Sequence, residues 1–330
     1  MELPPELVSH ILGFLGPDFF RRDISRLTVS KRWYALAWPI FVSHLELTTT
    51  SLKTLMRDDG TLLKRGLPHI TAVGLSFRGF VPETDGPDSH GAESELSATA
   101  AANIWTIRLN CDLVNLAASL QECPRLRCLK LRAEPQGSEG NSLRPGYLAA
   151  TPLADLLSLR HLTSLEIDIF GAHPRPRNPT VHLCDSINSL LPSLRRLRCR
   201  MGHLCERLLE LPASATPFSL EEVIIGLCRT DGLPPVSRYQ YADPCKGSKH
   251  SESVLEFYFG IEDQARTLSS RLRNPRMVRV IWEDVPNRGI SALDAVAWKW
   301  IRLPPGAQWD AQEMDESALK VLGLGTGATS

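Results

Sequence analysis

One short phrase recurs through the middle of this 330-residue chain and limits what it can fold into. It appears as His44-Leu45-Glu46-Leu47-Thr48, Ile70-Thr71-Ala72-Val73-Gly74-Leu75, Leu126-Arg127-Cys128-Leu129-Lys130-Leu131, Leu162-Thr163-Ser164-Leu165-Glu166-Ile167, Leu194-Arg195-Arg196-Leu197-Arg198-Cys199 and Leu220-Glu221-Glu222-Val223-Ile224-Ile225. Five of the six read apolar-x-x-apolar-x-apolar, and the closing alternation is that of a strand with one face buried. Helical patterns precede several of them: Ile104, Ile107, Cys111 and Val114 after Asn103; Leu153, Leu156 and Leu157 behind Thr151-Pro152; Val181, Cys184, Ile187 and Leu191 after Thr180. Helix followed by short strand is the repeating element, so the fold class is α/β.

The repeats are uneven. They start about 26 to 56 residues apart, and turn-rich insertions such as Pro82–Pro87, Glu134–Gly140 and Gly171–Pro176 fill the gaps. These read as loops, with disorder expected around residues 82–100. Past residue 230, Ile261, Ala265, Leu268 and Leu272 mark another amphipathic helix, and Val278, Val280 and Trp282 alternate like a following strand. After Pro304-Pro305-Gly306 periodicity is lost, and residues 306–330 are expected to form a flexible tail.

The first forty residues have a different pattern. Pro4 and Pro5 suit a first helical turn, Leu7, Val8, Ile11, Leu12 and Leu15 make one apolar face, and Gly16-Pro17 is expected to end the helix. A second helix starts near Asp23, and Ser30 is an N-cap for a third carrying Trp33, Leu36, Ala37 and Ile40. So small a unit leaves apolar surface wet unless a partner covers it.

These residues resemble the F-box family. Leu3-Pro4-Pro5-Glu6-Leu7 matches its Leu-Pro-x-Glu-Leu opening, and Val29-Ser30-Lys31-Arg32-Trp33 matches its Val-Ser-Lys-x-Trp centre. The likeness covers residues 1–43, and Pro17–Asp23 between its halves is longer and more charged than the family pattern. The resemblance implies docking to the S-phase-kinase-associated adaptor of a cullin-RING ubiquitin ligase. By position Leu3, Pro4, Leu7, Ile11 and Leu12 would face the adaptor, while Val29 and Trp33 would join the interface or the packing behind it. Residues 44–305 resemble a degenerate leucine-rich repeat, an irregular β/α solenoid that would carry a protein substrate. They lack the Asn that usually follows the last apolar position, and a closed α/β domain stays open as an alternative.

Composition narrows the function. Lys+Arg and Asp+Glu both number 37, which removes the basic footprint of a nucleic-acid binder, and the third helix offers Trp33, Tyr34 and Trp38 rather than base-reading side chains. No apolar run approaches the roughly 18 residues of a membrane span. The eight Cys include no CxxC pair, and the N-terminus lacks a basic, apolar leader, so a reducing cytoplasmic or nuclear setting is expected. GxSxG, HExxH and P-loop motifs are missing, and Gly323–Gly327 has no helix after it, so no catalytic residue and no cofactor are expected. His182-Leu183-Cys184 and His203-Leu204-Cys205 share an HxC spacing that offers zinc ligands. Zinc sites usually show wider, looped spacing, and Cys184 lies on an apolar helical face, so the expectation is no metal.

Binding residues follow from the pleat. If Leu197 and Cys199 point to the core, Arg196, Arg198 and Arg200 reach the open face, beside Lys130 and Arg132, Glu166 and Asp168, and Glu222. Lys130, Glu166, Asp168, Arg196, Arg198 and Arg200 are the candidate substrate contacts, against the alternative that they form cross-strand ion pairs on a solvated face. The expectation is a non-catalytic substrate receptor of a ubiquitin ligase, with no nucleic-acid or membrane partner. The alternatives are an F-box protein acting outside the ligase and a repeat scaffold.

Overall fold

Each recurring phrase forms a strand, and in five of the six the strand starts two residues after the first apolar side chain. In a computed structural model describing residues 3–57, 61–80, 92–134, 146–170, 181–211, 218–228, 242–245, 248, 253–283, 290–304 and 311–313, the first leucine of four phrases is buried at the strand entrance (Leu126, Leu162, Leu194, Leu220). There the backbone already bonds to its neighbour: the N–H groups of Thr71, Arg127, Thr163, Arg195, Glu221 and Arg276 donate in turn to the carbonyls of Ser43, Thr71, Arg127, Thr163, Arg195 and Glu221, at 2.7–2.8 Å.

In chain order the elements are α1 (Pro5–Arg21), α2 (Lys31–Ser43), β1 (His44–Thr48), α3 (Thr49–Arg57), α4 (Thr61–Gly66), β2 (Ala72–Phe77), α5 (Ala92–Gln121), β3 (Cys128–Ala133), α6 (Ala150–Leu157) and β4 (Ser164–Asp168). There follow α7 (Leu183–Asn188), β5 (Arg196–Arg200), β6 (His203–Leu204), β7 (Glu222–Gly226), β8 (Asp243–Pro244), α8 (Val254–Arg271), β9 (Met277–Glu283), β10 (Ile290–Asp294) and β11 (Lys299–Leu303). Nine strands make one sheet in the order β1-β2-β3-β4-β5-β7-β9-β10-β11, parallel as far as β9 and antiparallel thereafter. Every strand lies beside the main-sheet strand before it in the chain. β6 and β8 pair separately.

The register is straight. Leu45, Val73, Leu129, Leu165, Leu197, Val223 and Val278 form one row, and Leu47, Leu75, Leu131, Ile167, Cys199, Ile225 and Val280 another. Apart from the half-buried Leu45 both rows are buried in one core, which also takes Leu113 and Leu116 of α5, Leu153 and Leu156 of α6, Ile187 of α7 and Ile261 and Leu268 of α8. A strand face of this kind is held by burial, at about 25 cal/mol per Å² of apolar surface.

The N-terminal helices keep a small core of their own: Leu12, Phe20, Leu27 and Ala37, with Trp33 packed against them. Ser30 caps α2, accepting from the Trp33 N–H at 3.1 Å, and the segment at Asp23 is a single 3-10 turn, Ile24–Leu27. Gly16-Pro17 breaks the first helix as expected: Gly16 leaves helical backbone at φ +71°, ψ 175°, which glycine permits, and beyond this kink a second short helical stretch runs on to Arg21. By contrast, α2 runs through Pro39 to Ser43.

Three further expectations are corrected. Residues 92–100 are helical, being the start of α5; the rest of the expected disordered stretch, 82–91, lies outside the described residues. The buried face of α5 is Leu109, Leu113, Leu116 and Leu120, whereas Ile104, Ile107, Cys111 and Val114 face outward, so the apolar stripe picked from the sequence is the wrong one. In the expected tail, residues 311–313 lie on the sheet: the Ala311 carbonyl accepts from Arg279 at 2.8 Å, Glu313 pairs with Lys299, and Ala311 packs by an apolar patch of Ile224, Ile281, Ile290 and Ile301.

Candidate functional site

Three features of this frame carry chemistry or recognition. The first is the N-terminal ridge. Leu3, Leu7, Ile11, Phe14 and Leu15 are exposed, Phe14 at 81%, along with Pro4 and with Ile24 and Val29 in the following turns. Positions 7, 11 and 14 lie on one helical stripe, and their burial is sacrificed because α2 covers only the opposite side. Leu12 departs from the expected adaptor-facing set. It is fully buried against the bundle's own core and is not part of the exposed ridge. Trp33 is half-buried, its ring N–H donating to the Arg26 carbonyl, which makes it packing behind the ridge.

The second feature is the open face of the sheet. One row reads Glu46, Gly74, Lys130, Glu166, Arg198 and Ile224, and a second reads Thr48, Ser76, Arg132, Asp168, Arg200 and Gly226. Charge alternates across neighbouring strands, and the alternation closes into ion pairs. Glu166 has Arg132 at 3.0 Å, Lys130 at 3.6 Å and Arg198 at 4.0 Å; Glu222 has Arg198 at 2.6 Å and Arg196 at 3.1 Å; Arg200 grips Asp168 with two nitrogens at 2.9 and 2.5 Å. The Glu166 side chain is only 7% exposed. The six candidate contacts therefore differ: Glu166, Asp168, Arg198 and Arg200 are engaged with one another, while Lys130 and Arg196, with Arg132 beside them, keep about half of their side-chain surface in water.

The third feature is a cluster that spacing alone concealed. His182 is the N-cap of α7 and Cys184 lies in its first turn; Cys205 follows β6 and Cys245 follows β8. Because β6 and β8 pair in register, and the Cys245 N–H donates to the Leu204 carbonyl at 2.8 Å, the two strands deliver Cys205 and Cys245 to the same point. The four donor atoms all lie within 4.8 Å of one another. The Cys184 and Cys245 sulfurs are 3.9 Å apart, and Cys205 Sγ is 3.7 Å from His182 Nε2. Hydrogen bonds from the Cys184 and Cys245 thiols hold the Cys205 thiol far below its ordinary range, while Cys184, as donor to Cys205, is pushed up. His203, the fourth residue of the HxC pattern, is exposed and outside the cluster. No family model, curated protein or solved structure matches the chain. Among the described residues no helix is long and apolar enough to cross a membrane.

Proposed function

We propose that this chain is a non-catalytic substrate receptor of the F-box type, which docks through residues 1–43 to the adaptor of a cullin-RING ubiquitin ligase in the cytoplasm or nucleus. The observation that carries the reading is the exposed ridge Leu3, Leu7, Ile11 and Phe14, set in the two-part motif and backed by a core that closes without it. An uncovered apolar stripe of this kind on a small helical unit fits a partner surface. The sequential, in-register strands with helices packed on one side support the reading of residues 44–305 as a degenerate leucine-rich-repeat-like solenoid. Its open face offers Lys130, Arg132 and Arg196 to an acidic segment of a protein substrate. The receptor acts by proximity, holding a substrate lysine near a ubiquitin-charged enzyme that other subunits supply.

The test is co-expression with the adaptor. Leu7→Glu/Ile11→Glu should abolish co-purification while leaving Tm within a degree or so of the parent, because both side chains are already in water. Leu12→Ala should lower stability by about 2–5 kcal/mol through a cavity inside the bundle. Failure of the unaltered chain to bind the adaptor would refute the proposal.

A further inference from the structure

The crossover from β5 to β7 is where this fold departs from its own pattern. The earlier crossovers to β2, β3, β4 and β5 each carry an α-helix, but among the described residues this one has only β6 and the four-residue 3-10 turn Glu206–Leu209. That turn packs between α7 and α8, and the His182, Cys184, Cys205 and Cys245 cluster lies there. We infer that His182 Nε2 and the sulfurs of Cys184, Cys205 and Cys245 form a structural zinc site that staples this weakly built crossover.

The donor atoms, all within 4.8 Å of one another, are close to what a tetrahedral site needs. Bonds of about 2.3 Å to sulfur and about 2.0–2.1 Å to nitrogen place tetrahedral sulfurs about 3.8 Å apart, and sulfur and nitrogen about 3.5–3.6 Å apart. Cys184 and Cys245 are 3.9 Å apart and Cys205 and His182 are 3.7 Å apart, so these two pairs match and the others close by side-chain adjustments of under an ångström or so. Four protein donors close the coordination sphere, which marks a structural rather than a catalytic site, and the three cysteines are buried. Soft thiolates with one imidazole select zinc over calcium or magnesium.

The surroundings have the parts such a site uses. Asp185 Oδ1 stands 3.4 Å from His182 Nδ1, which is buried and makes no hydrogen bond, and its other oxygen holds Arg207 at 3.1 Å. A small turn of the His182 ring toward Asp185 would make the hydrogen bond by which a carboxylate behind a ligating histidine fixes its tautomer and raises its basicity. Arg207, two residues after Cys205 and paired with Asp185, sets a cation beside the net negative charge of a zinc ion with three thiolates. Beside the ligands, Glu206 is buried and accepts from Ser248 at 2.7 Å, tying the segment after Cys245 back to the turn after Cys205. Binding forms three Zn–S bonds and one Zn–N bond and breaks the S–H bonds of the ligand thiols, whose protons go to solvent, with no change of oxidation state.

This differs from the expectation of no metal in one physical respect. Three of the four ligands, His182, Cys184 and Cys205, belong to the two HxC pairs, but the fourth is Cys245 in place of His203, brought in from 40 residues beyond Cys205 by the pairing of β6 with β8.

The full-length chain, purified under reducing conditions, should carry about one zinc per molecule by elemental mass spectrometry. After chelation it should take up cobalt(II) with the absorption of a tetrahedral thiolate site and a thiolate-to-metal charge-transfer band. Chelation should lower Tm, and zinc should restore it. Cys245→Ser should lose the band, and His203→Ala should keep it. Because a ligand variant can fail to fold, Asp185→Asn gives a milder second reading, weakening zinc affinity about 10- to 100-fold with the fold retained. Substoichiometric metal with no cobalt band in the reduced chain would overturn the inference. So would a Cys184–Cys245 disulfide in a chain that takes up no metal after reduction, or a zinc content unchanged in Cys245→Ser.

Discussion

Replacing Glu166 by Gln tests whether the charged rows on the open face hold the sheet together. Glu166 is central to three cations on two neighbouring strands, at 3.0, 3.6 and 4.0 Å, and its side chain is 7% exposed. Gln keeps the shape and still accepts one hydrogen bond from Arg132, so the substitution removes the negative charge and little else. Breaking a buried ion pair costs about 3–5 kcal/mol, but two of the three partners are about half exposed and are screened by solvent. What remains is the pairing with the largely buried Arg198 and the crowding of Arg132, Lys130 and Arg198 once the charge is gone, which comes to about 2 kcal/mol. At ~2.1 cal/mol/K per residue, that is about 3 °C in Tm for a chain of this length. The assay is thermal and urea denaturation of the full-length chain at low and high salt, with the loss shrinking as salt rises. Lys130→Met, at the exposed end of the network, should cost no more than about 0.5 kcal/mol. A Glu166→Gln variant as stable as the parent would refute the reasoning and return Glu166 to the set of residues free to meet a partner.

Two further perturbations follow from buried polar groups. The Tyr147 hydroxyl, sealed from solvent, lies 2.7 Å from the Glu134 carbonyl and 3.1 Å from that of Phe77, so Tyr147→Phe should cost about 1–3 kcal/mol, read as a lower urea midpoint with unchanged slope. Glu262 on α8 is buried, which raises its carboxyl to about 6 against an ordinary 4.5, with Arg266 lowering it and Asp263 raising it by smaller amounts. An acid whose folded value is raised costs nothing below the unfolded value and a full penalty above the folded one, here up to about 2 kcal/mol from 1.36 kcal/mol per unit. Glu262→Gln should therefore stabilise the chain at pH above about 6 and lose its advantage near pH 4. An equal gain at both values, measured by thermal denaturation, would contradict this sign.

The local pattern by itself determined the strands β1, β2, β3, β4, β5 and β7 and the charge alternation on their open face, because the period of the pleat is written residue by residue in phrases such as Leu194–Cys199. It also determined the Ser30 cap of α2 and the exposed ridge at Leu7 and Ile11, both of which depend only on neighbours within a turn or two. What it left undecided required long-range neighbours. Which side of α5 is buried depends on α3 and α6 packing beside it, and two apolar stripes on one helix are equivalent until those partners are in place. The β10–β11 hairpin has no glycine turn to announce it: Asp294 accepts from the N–H groups of Val296 and Ala297, and Trp298 takes φ +54°. Only the tertiary structure turned open-face charges into pairs, since a pair needs a distance and not just a sign. Likewise Cys245 joined His182, Cys184 and Cys205 only when β8 found β6, because strand pairing can bring together residues that no spacing rule connects.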